Sequence, residues 1–254
     1  MKLLFIHQNF PGQWRHLATA AAQNKHQVVA LGQAGQADSK RCPPGVQIGT
    51  YKTRGPSATT HRYLQDTEGS VRRGQSVVRA VLALKERGFT PDAIAVHPGW
   101  GEGLYLKDVL PKVPVLAYAE FYYRQHGADV GFDPEVTWTL DDACRLRTRN
   151  TVHLLSMEMC DVALAPTQWQ RSVFPREWQG KIKVIHDGVA TERVKPNPAA
   201  VFALPSKNLR LGAGDEVVTY VARNLEPYRG FHVFMRALPD LLRDRKSTRL
   251  NSSH

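Results

Sequence analysis

The stretch LLFIHQNFPGQWRHLATAAAQNKHQVVAL, residues 3–31, decides the fold prediction. It begins and ends with short apolar runs, residues 3–6 and 27–31, of the kind that form buried strands. Between them, four apolar residues recur at the i, i+3, i+4 and i+7 spacing of one helical face: Trp14, Leu17, Ala18 and Ala21. A strand, a helix and a strand within about 30 residues form a βαβ unit, which is typical of a parallel, doubly wound sheet.

The alternation of strands and helices continues along the chain. Apolar runs predict further strands at residues 92–96, 113–118, 162–166 and 181–185. Helical spacing is predicted at residues 71–87, 101–110, 140–160 and 168–174. Residues 32–60 are rich in Gly, Pro, Ser and Thr, which predicts a loop with one candidate strand, VQIGT, at 46–50. The predicted fold class is therefore α/β, with a Rossmann-like, doubly wound parallel sheet.

Prolines mark the end of the first predicted domain. We predict a Rossmann-like N-terminal domain at residues 1–195, a linker at 196–214, and the first strand and helix of a second Rossmann-like domain at 215–244. One strand–helix unit cannot bury both faces of its strand, so we expect the second domain to be truncated. The polar residues 245–254 show no apolar periodicity, and we expect them to be an artefactual tail.

The composition limits the class of protein and its partners. The chain has 254 residues, of which 42% are hydrophobic, and this is enough for one large or two ordinary domains. A net charge of +11 favours anionic partners such as phosphates, nucleic acid or an acidic membrane surface, although a merely basic surface explains it equally well. Three cysteines without CxxC or metal spacing favour a reducing compartment and predict no metal site.

No segment of the sequence indicates export or membrane insertion. The apolar run at residues 3–6 is too short for a signal peptide, and polar HQN follows it. No apolar run approaches the about 18 residues that a transmembrane helix requires. We therefore expect a cytoplasmic protein, with a peripheral contact at the inner face of the membrane as an open alternative.

Two arginines stand out in TYVARNLEPYRGFHVF, residues 219–234. Arg223 ends an apolar, strand-like run, and Arg229 follows six positions later, directly before a glycine. Two cations at a strand-to-helix turn suit a diphosphate, because charge-assisted hydrogen bonds are strong. From the pattern alone, two surface arginines flanking a proline turn are the more frequent arrangement.

Taken in order, these motifs resemble glycosyltransferase family 4, which has the two-Rossmann GT-B fold. The similar segments are residues 7–32, 97–123, 160–189 and 220–242. The resemblance implies a hexosyltransferase that moves a sugar from a nucleotide-diphosphate-sugar donor to an acceptor hydroxyl, usually with retention of the anomeric configuration. The implied partners are the nucleotide sugar and a glycan, polysaccharide or lipid-linked acceptor, and no metal or other cofactor is implied.

The resemblance also assigns the donor site. In this family an Arg and a Lys hold the donor diphosphate at the positions of Arg223 and Arg229, and two fixed cations stabilise the charge of the leaving group. The arginine at 229 departs from the usual lysine and brings a planar fork instead of a point charge. Gly12, in FPGQW, lies where the backbone can approach a phosphate at a helix N-terminus, although a plain turn fits that pattern alone better.

Three further candidates lie near predicted strand ends, where the ligands of doubly wound sheets bind. His97 matches a family histidine that lines the cleft beside the transferred sugar, and it is the candidate catalytic residue. Glu102 and Glu120 are candidate acceptor-binding or sugar-binding carboxylates. The structural alternatives are a loop histidine beside a Pro-Gly turn and a loop-capping glutamate. We expect His97 and Gly12 to share one edge of the sheet.

One departure from the family and two rival functions remain. The family's donor domain carries a Glu-x7-Glu pair that grips the sugar and the ribose, and this pair is absent from the sequence. We therefore expect the 254-residue chain to be inactive on its own. The alternatives are a non-catalytic nucleotide-sugar binding module and, less favoured, a basic nucleic-acid-binding protein. The latter requires clustered Lys and Arg with interleaved aromatics, and the sequence shows no such motif.

Overall fold

Seven parallel strands form the central sheet in the computed structural model, which describes residues 1–128 and 130–244. The strands are β1 Lys2–Ile6, β2 Gln27–Gln33, β3 Val46–Tyr51, β4 Ala93–Val96, β5 Val115–Tyr118, β6 Val162–Ala165 and β7 Ile182–Val184. Their order is β3-β2-β1-β4-β5-β6-β7, and every neighbouring pair is parallel. The predicted Rossmann-like, doubly wound α/β fold is confirmed, and its strand order reverses direction between β1 and β4.

The strands alternate their side chains between two apolar cores, one on each face of the sheet. Leu4 and Ile6 of β1 enter the core that helix α2, Gln65–Glu86, covers, whereas Phe5 enters the core that helix α1, Arg15–Gln23, covers. The period of two follows from the pleat, and burial on both faces explains why β1 reads as a continuous apolar run. The helices are α1 Arg15–Gln23, α2 Gln65–Glu86, α3 Leu106–Val109, α4 Leu140–Arg149, α5 Thr151–Met159, α6 Gln168–Val173, α7 Arg176–Gln179 and α8 Phe231–Asp244.

The helix predicted over residues 140–160 is in fact two helices. Asn150 stands at the junction of α4 and α5, where its buried side chain accepts a hydrogen bond from the Tyr123 N–H and donates one to the Tyr123 carbonyl, at 3.0 and 2.7 Å. The Asn150 amide thus satisfies the backbone N–H and C=O groups of Tyr123 in place of water. This pairing explains why a polar side chain is buried there.

The chain divides into two compact units. The first comprises Met1–Gly131 and Trp138–Asp187, and the second comprises Phe132–Thr137 and the chain from Gly188 onward. In the described part of the second unit, strands β8 Phe202–Leu204 and β9 Leu209–Leu211 pair as an antiparallel hairpin, and α8 follows. The predicted domain limits are not tested by this division and stay predictions.

One element predicted for the second unit, its first strand, is absent from the described residues. Residues 216–222 form no strand, because a strand needs a neighbour for its N–H and C=O groups, and no strand in the described part of the chain pairs with them. The hairpin of β8 and β9 lies instead inside the predicted linker at 196–214. The predicted helix is present as α8, and the predicted tail, 245–254, lies outside the described residues.

Within residues 1–128 and 130–244, no helix is both long enough and apolar enough to cross a membrane.

Candidate functional site

Polar side chains from three neighbouring strands meet at the carboxyl edge of the sheet. His7 directly follows β1, His97 directly follows β4, and Glu120 follows β5 by two residues. The two imidazole rings lie 5.1 Å apart between centroids, and His97 Nε2 lies 2.9 Å from Glu120 Oε2. This is the topological switch point of the sheet, where ligands of doubly wound folds bind. The expected common edge of His97 and Gly12 is observed, because Gly12 lies against the His7 ring.

The backbone fixes the tautomer of His97. The Gly99 N–H donates to Nδ1 at 3.3 Å, so the ring proton of the neutral imidazole is on Nε2 and is donated to Glu120. This hydrogen bond is the largest cause that lowers the pKa of Glu120, whose carboxyl is therefore ionised at neutral pH. The His97 side chain is 4% exposed and that of Glu120 is 39% exposed, so the carboxylate is the solvent-facing member of the pair.

His7 is a functional candidate that sequence reasoning missed. Its Nδ1 accepts the Asn9 N–H at 2.9 Å, so its Nε2–H donates to Gln13 Oε1 at 2.7 Å. Gln13 Nε2 in turn donates to Glu120 Oε2 at 3.2 Å. Burial, followed by the nearby His97, lowers the pKa of His7 to about 4, so this ring is neutral at pH 7. Its position directly after the first strand was the signal that could have found it.

The structure gives Gly12 a packing reason to be glycine. Its φ is +43°, and a Cβ built there would lie 2.5 Å from His7 Nε2. A side chain at this position would therefore displace the imidazole. The phosphate contact expected of Gly12 remains a prediction.

Aromatic rings enclose the His97 imidazole. The Trp100 ring stacks on it at 4.4 Å and 24°, and the Tyr118 ring lies 5.5 Å away. The Tyr118 hydroxyl donates to the carboxylate of Asp187 at 2.7 Å, which connects the end of β5 to the turn after β7. The backbone of Trp100 is also fixed, because Arg73 Nη1 donates to its carbonyl oxygen at 2.6 Å. The imidazole therefore has little rotational freedom.

Glu102 does not lie in the open site, which corrects the expected acceptor-binding role. Its side chain is 0% exposed; Tyr51 Oη donates to Oε1 at 3.0 Å, and Arg73 Nε lies 4.0 Å from the same oxygen. The other oxygen, Oε2, is buried and has no hydrogen-bond partner among the described residues. Burial is the largest cause that raises the pKa of Glu102. Nearness to a strand end did not reveal that α2 and β3 cover this carboxyl.

The raised pKa of Glu102 predicts a pH-dependent effect of Glu102→Gln. The folded chain favours the neutral acid, whereas the unfolded chain ionises above the ordinary value of 4.5, so wild-type stability falls as pH rises above that value. The variant lacks this loss, and from pH 5 to pH 8 it should gain about 1 kcal/mol or more relative to wild type. Urea unfolding at both pH values measures the difference, from which any constant cost of the amide cancels. Glu158→Gln, which removes an exposed carboxylate on α5, is the control. If the free energy of unfolding depends on pH equally in Glu102→Gln and in wild type, the pKa of Glu102 is not raised in the folded chain.

The two arginines belong to the second unit. Arg229 Nε donates to Glu226 Oε2 at 2.7 Å, and the Tyr228 hydroxyl donates to the same oxygen at 2.6 Å. Arg223 is exposed, and no hydrogen bond or ion pair of its side chain is found within residues 1–128 and 130–244. The Arg223 guanidinium can therefore donate hydrogen bonds to a phosphate directly, whereas the Arg229 guanidinium would have to bind a phosphate and Glu226 at the same time.

The second unit also holds a cluster of possible metal ligands. Asp133, Glu135 and His232 offer ligand atoms within 4.8 Å of one another. His232 Nε2 already lies 2.8 Å from Asp133 Oδ2, and Arg236 binds both oxygens of Glu135 at 2.6 and 2.8 Å. These ion pairs account for the cluster without a metal.

The sheet order and the polar cluster at its switch point define a Rossmann-like α/β protein with a candidate ligand site between β1, β4 and β5. A family model described as glycosyl transferase family 4 group matches residues 24–194, which is more than half of the chain. The chain belongs to this family, and the predicted resemblance is confirmed.

The solved structures that match the chain share little sequence with it. A UDP-glucose: anthocyanidin 3-O-glucosyltransferase in complex with UDP is 12% identical over 77% of this chain and 55% of its own, with a TM-score of 0.46. A UDP-glucosyltransferase from Polygonum tinctorium is 11% identical over 77% of this chain and 54% of its own, with a TM-score of 0.45. MurG of Acinetobacter baumannii is 14% identical over 68% of this chain and 42% of its own, with a TM-score of 0.39. The chain thus spans about half the length of these proteins. No curated protein matches it.

Proposed function

We propose that the chain supplies the acceptor side of a nucleotide-sugar-dependent glycosyltransferase. The observation that carries the proposal is the orientation of Glu120 at the switch point. Its Oε2 accepts hydrogen bonds from His97 and Gln13, whereas Oε1 accepts none within the described residues and the side chain is partly exposed. An ionised carboxylate with one open oxygen is a hydrogen-bond acceptor for the hydroxyl of an incoming sugar or lipid-linked acceptor.

In the proposed reaction the acceptor hydroxyl oxygen forms a bond to C1 of the donor sugar while the bond from C1 to the diphosphate breaks. The bonding electrons leave with the diphosphate, and the departing diphosphate oxygen takes up the hydroxyl proton of the acceptor. His97 holds Glu120 through its Nε2–H, so its neutral ring acts as a hydrogen-bond donor. Retention of the anomeric configuration is the outcome we propose from the family.

Arg223 and Arg229 are the proposed donor contacts. Positive charge beside the leaving diphosphate stabilises the negative charge that develops in the transition state. The net charge of +11 supports anionic partners in general, including an acidic membrane surface beneath a lipid-linked acceptor. A polysaccharide or glycan acceptor remains equally compatible with the open oxygen of Glu120.

The test of the donor site is Arg223→Ala in the longest protein that carries this chain. Loss of a charge-assisted phosphate contact should lower kcat by about 100-fold, with little change in Tm. The assay measures nucleotide release from UDP-glucose, GDP-mannose and UDP-N-acetylglucosamine, and Arg210→Ala, an exposed arginine of β9, is the control. An unchanged rate with a Tm several degrees lower would make Arg223 structural.

The same assay separates the rival functions. The 254-residue chain alone should bind nucleotide without steady turnover. A binding module without catalysis would show no transfer in the longer protein either, and a nucleic-acid binder would bind arbitrary DNA with strong salt dependence, uncompeted by UDP or GDP.

A further inference from the structure

We propose that His7 and Gln13 are positioning residues that fix the orientation and the negative charge of Glu120, so that the acceptor must offer a hydrogen-bond donor at this point. The inference rests on the proposed function for its meaning in catalysis. The relay itself, from His7 through Gln13 to Glu120, is a property of the folded chain and is tested separately.

Every hydrogen bond of the relay has a defined direction. The Asn9 N–H can only donate, so His7 Nδ1 accepts and the neutral ring carries its proton on Nε2. That proton engages Gln13 Oε1, which turns the Gln13 amide nitrogen toward Glu120 Oε2. An amide nitrogen can only donate, so the oxygen that it meets is an acceptor. With His97 donating to the same oxygen, both donors favour the ionised carboxylate.

Packing holds the relay in one conformation. The His7 ring is 2% exposed, and Gly12 lies directly against it without a side chain. Gln13 belongs to the short 3₁₀ turn Gly12–Trp14, and the Trp14 indole N–H donates to the Ile6 carbonyl at 3.2 Å. This bond fastens the turn that carries Gln13 to Ile6, the last residue of β1. Because the Gln13 side chain is fixed in this way, Glu120 Oε2 stays on Gln13 and His97, and Oε1 points away from these two donors.

The charge of Glu120 restricts the acceptor. An ionised carboxylate attracts a neutral hydroxyl or an ammonium group and repels a phosphate or a carboxylate. The chain as a whole is strongly basic, yet this local site selects against anions. The acceptor atom that meets Glu120 is therefore a hydroxyl or an amine, and any phosphate of a lipid-linked acceptor must lie elsewhere.

The decisive measurement is the carboxyl titration of Glu120 by carbon NMR in the 254-residue chain. The titratable groups that interact with this carboxyl are His97, His7 and the Tyr118 hydroxyl. Gln13→Met removes the amide and keeps the length of the side chain, and it should raise the pKa of Glu120 because one of the two hydrogen bonds to the ionised carboxylate is lost. Gln23→Met, at the exposed end of α1, is the matched control and should leave the titration unchanged.

A second variant tests whether His7 acts through Gln13. His7 also interacts directly with the charge of Glu120, so His7→Phe should raise the pKa of Glu120 in both backgrounds, but by less in Gln13→Met than in wild type. In wild type, nitrogen NMR of His7 at pH 7 should show a neutral ring protonated on Nε2. A His7 ring that is charged or protonated on Nδ1 overturns the relay, and so does a Glu120 titration that Gln13→Met does not move. Should His7→Phe fail to fold, the Gln13→Met titration and the wild-type tautomer decide alone.

The outcome is separable from the proposed function. Loss of transfer in Glu120→Gln with an unmoved titration in Gln13→Met would keep the glycosyltransferase and reject the relay. A moved titration in a longer protein that transfers no sugar would keep the relay and reject the glycosyltransferase. When both hold, Gln13→Met should raise the KM for the acceptor more than it lowers kcat, because it disturbs an acceptor contact without removing it.

Discussion

Replacing Gly101 with alanine is expected to destabilise the folded chain by about 4 kcal/mol, the combined cost of backbone strain and a steric clash. Gly101 has a φ of +100°, and a Cβ built there would lie 2.6 Å from Ser70 Cβ and 2.7 Å from the Ser70 carbonyl carbon, with the carbonyl oxygen closer still. Ser70 belongs to α2, a helix of 22 residues whose backbone cannot withdraw locally. The approach is mutual, because a Cβ on Gly74 of α2 would lie 2.8 Å from the Gly101 carbonyl oxygen.

Gly88→Ala is the matched control for this prediction. Gly88 also has a positive φ, +80°, but nothing lies within 4 Å of a Cβ built there. It should therefore lose only the cost of the backbone conformation, about 1 kcal/mol. Urea unfolding of both variants, followed by circular dichroism, measures the two losses. Equal losses would mean that the turn carrying His97 and Trp100 does not approach α2 as closely as the structure shows.

Acid should destabilise the folded chain between pH 6.5 and pH 4 through two buried histidines. Burial is the largest cause that lowers the pKa of both His7 and His153 from 6.5 to about 4. Between pH 6.5 and pH 4 these two histidines are protonated in the unfolded chain but not in the folded chain. The free energy of unfolding therefore falls as the pH decreases from 6.5, and this loss is complete near pH 4. Each histidine contributes about 3 kcal/mol to this loss.

His153→Phe should remove about half of the acid-dependent loss. The ring lies among aromatic neighbours, 5.6 Å from that of Tyr123 and 6.4 Å from that of Tyr122, so phenylalanine suits its surroundings. His16→Gln, which removes an exposed imidazole on α1, controls for the loss of one histidine. Denaturant unfolding at pH 7.0, 5.5 and 4.5 gives the slope of stability against pH. A slope that His153→Phe leaves unchanged would show that His153 is not held neutral.

The elements predicted best from the sequence are those that local patterns determine. In the first βαβ unit, Trp14, Ala18 and Ala21 are buried as their spacing predicts, although Leu17 of the same pattern is 47% exposed. The prediction of a strand at 216–222 was wrong because a strand forms only beside a partner strand, and a local sequence pattern does not show whether such a partner exists. The break at Asn150 was missed for the same reason, since Tyr123, which satisfies its amide, is distant in sequence.

The candidate site was only partly predictable. His97 was found because it follows a recognisable strand, and the structure places Glu120 beside it. His7 was missed because the polar residues after β1 read as a loop, and its link to Glu120 joins opposite halves of the first unit's sequence. Glu102 shows the converse, because its closeness to a strand end does not reveal that Tyr51 and α2 enclose it.

The stacking of Trp100 on His97 gives the site its own optical signal. The indole is in van der Waals contact with an imidazole, so its excited state senses the position and charge of that ring. A ligand that binds at this edge of the sheet and moves the imidazole alters the fluorescence of Trp100. Subtracting the emission of a Trp100→Phe variant isolates this residue from the other four tryptophans. Occupancy of the site can thus be followed by fluorescence without a label and without knowing the identity of the ligand.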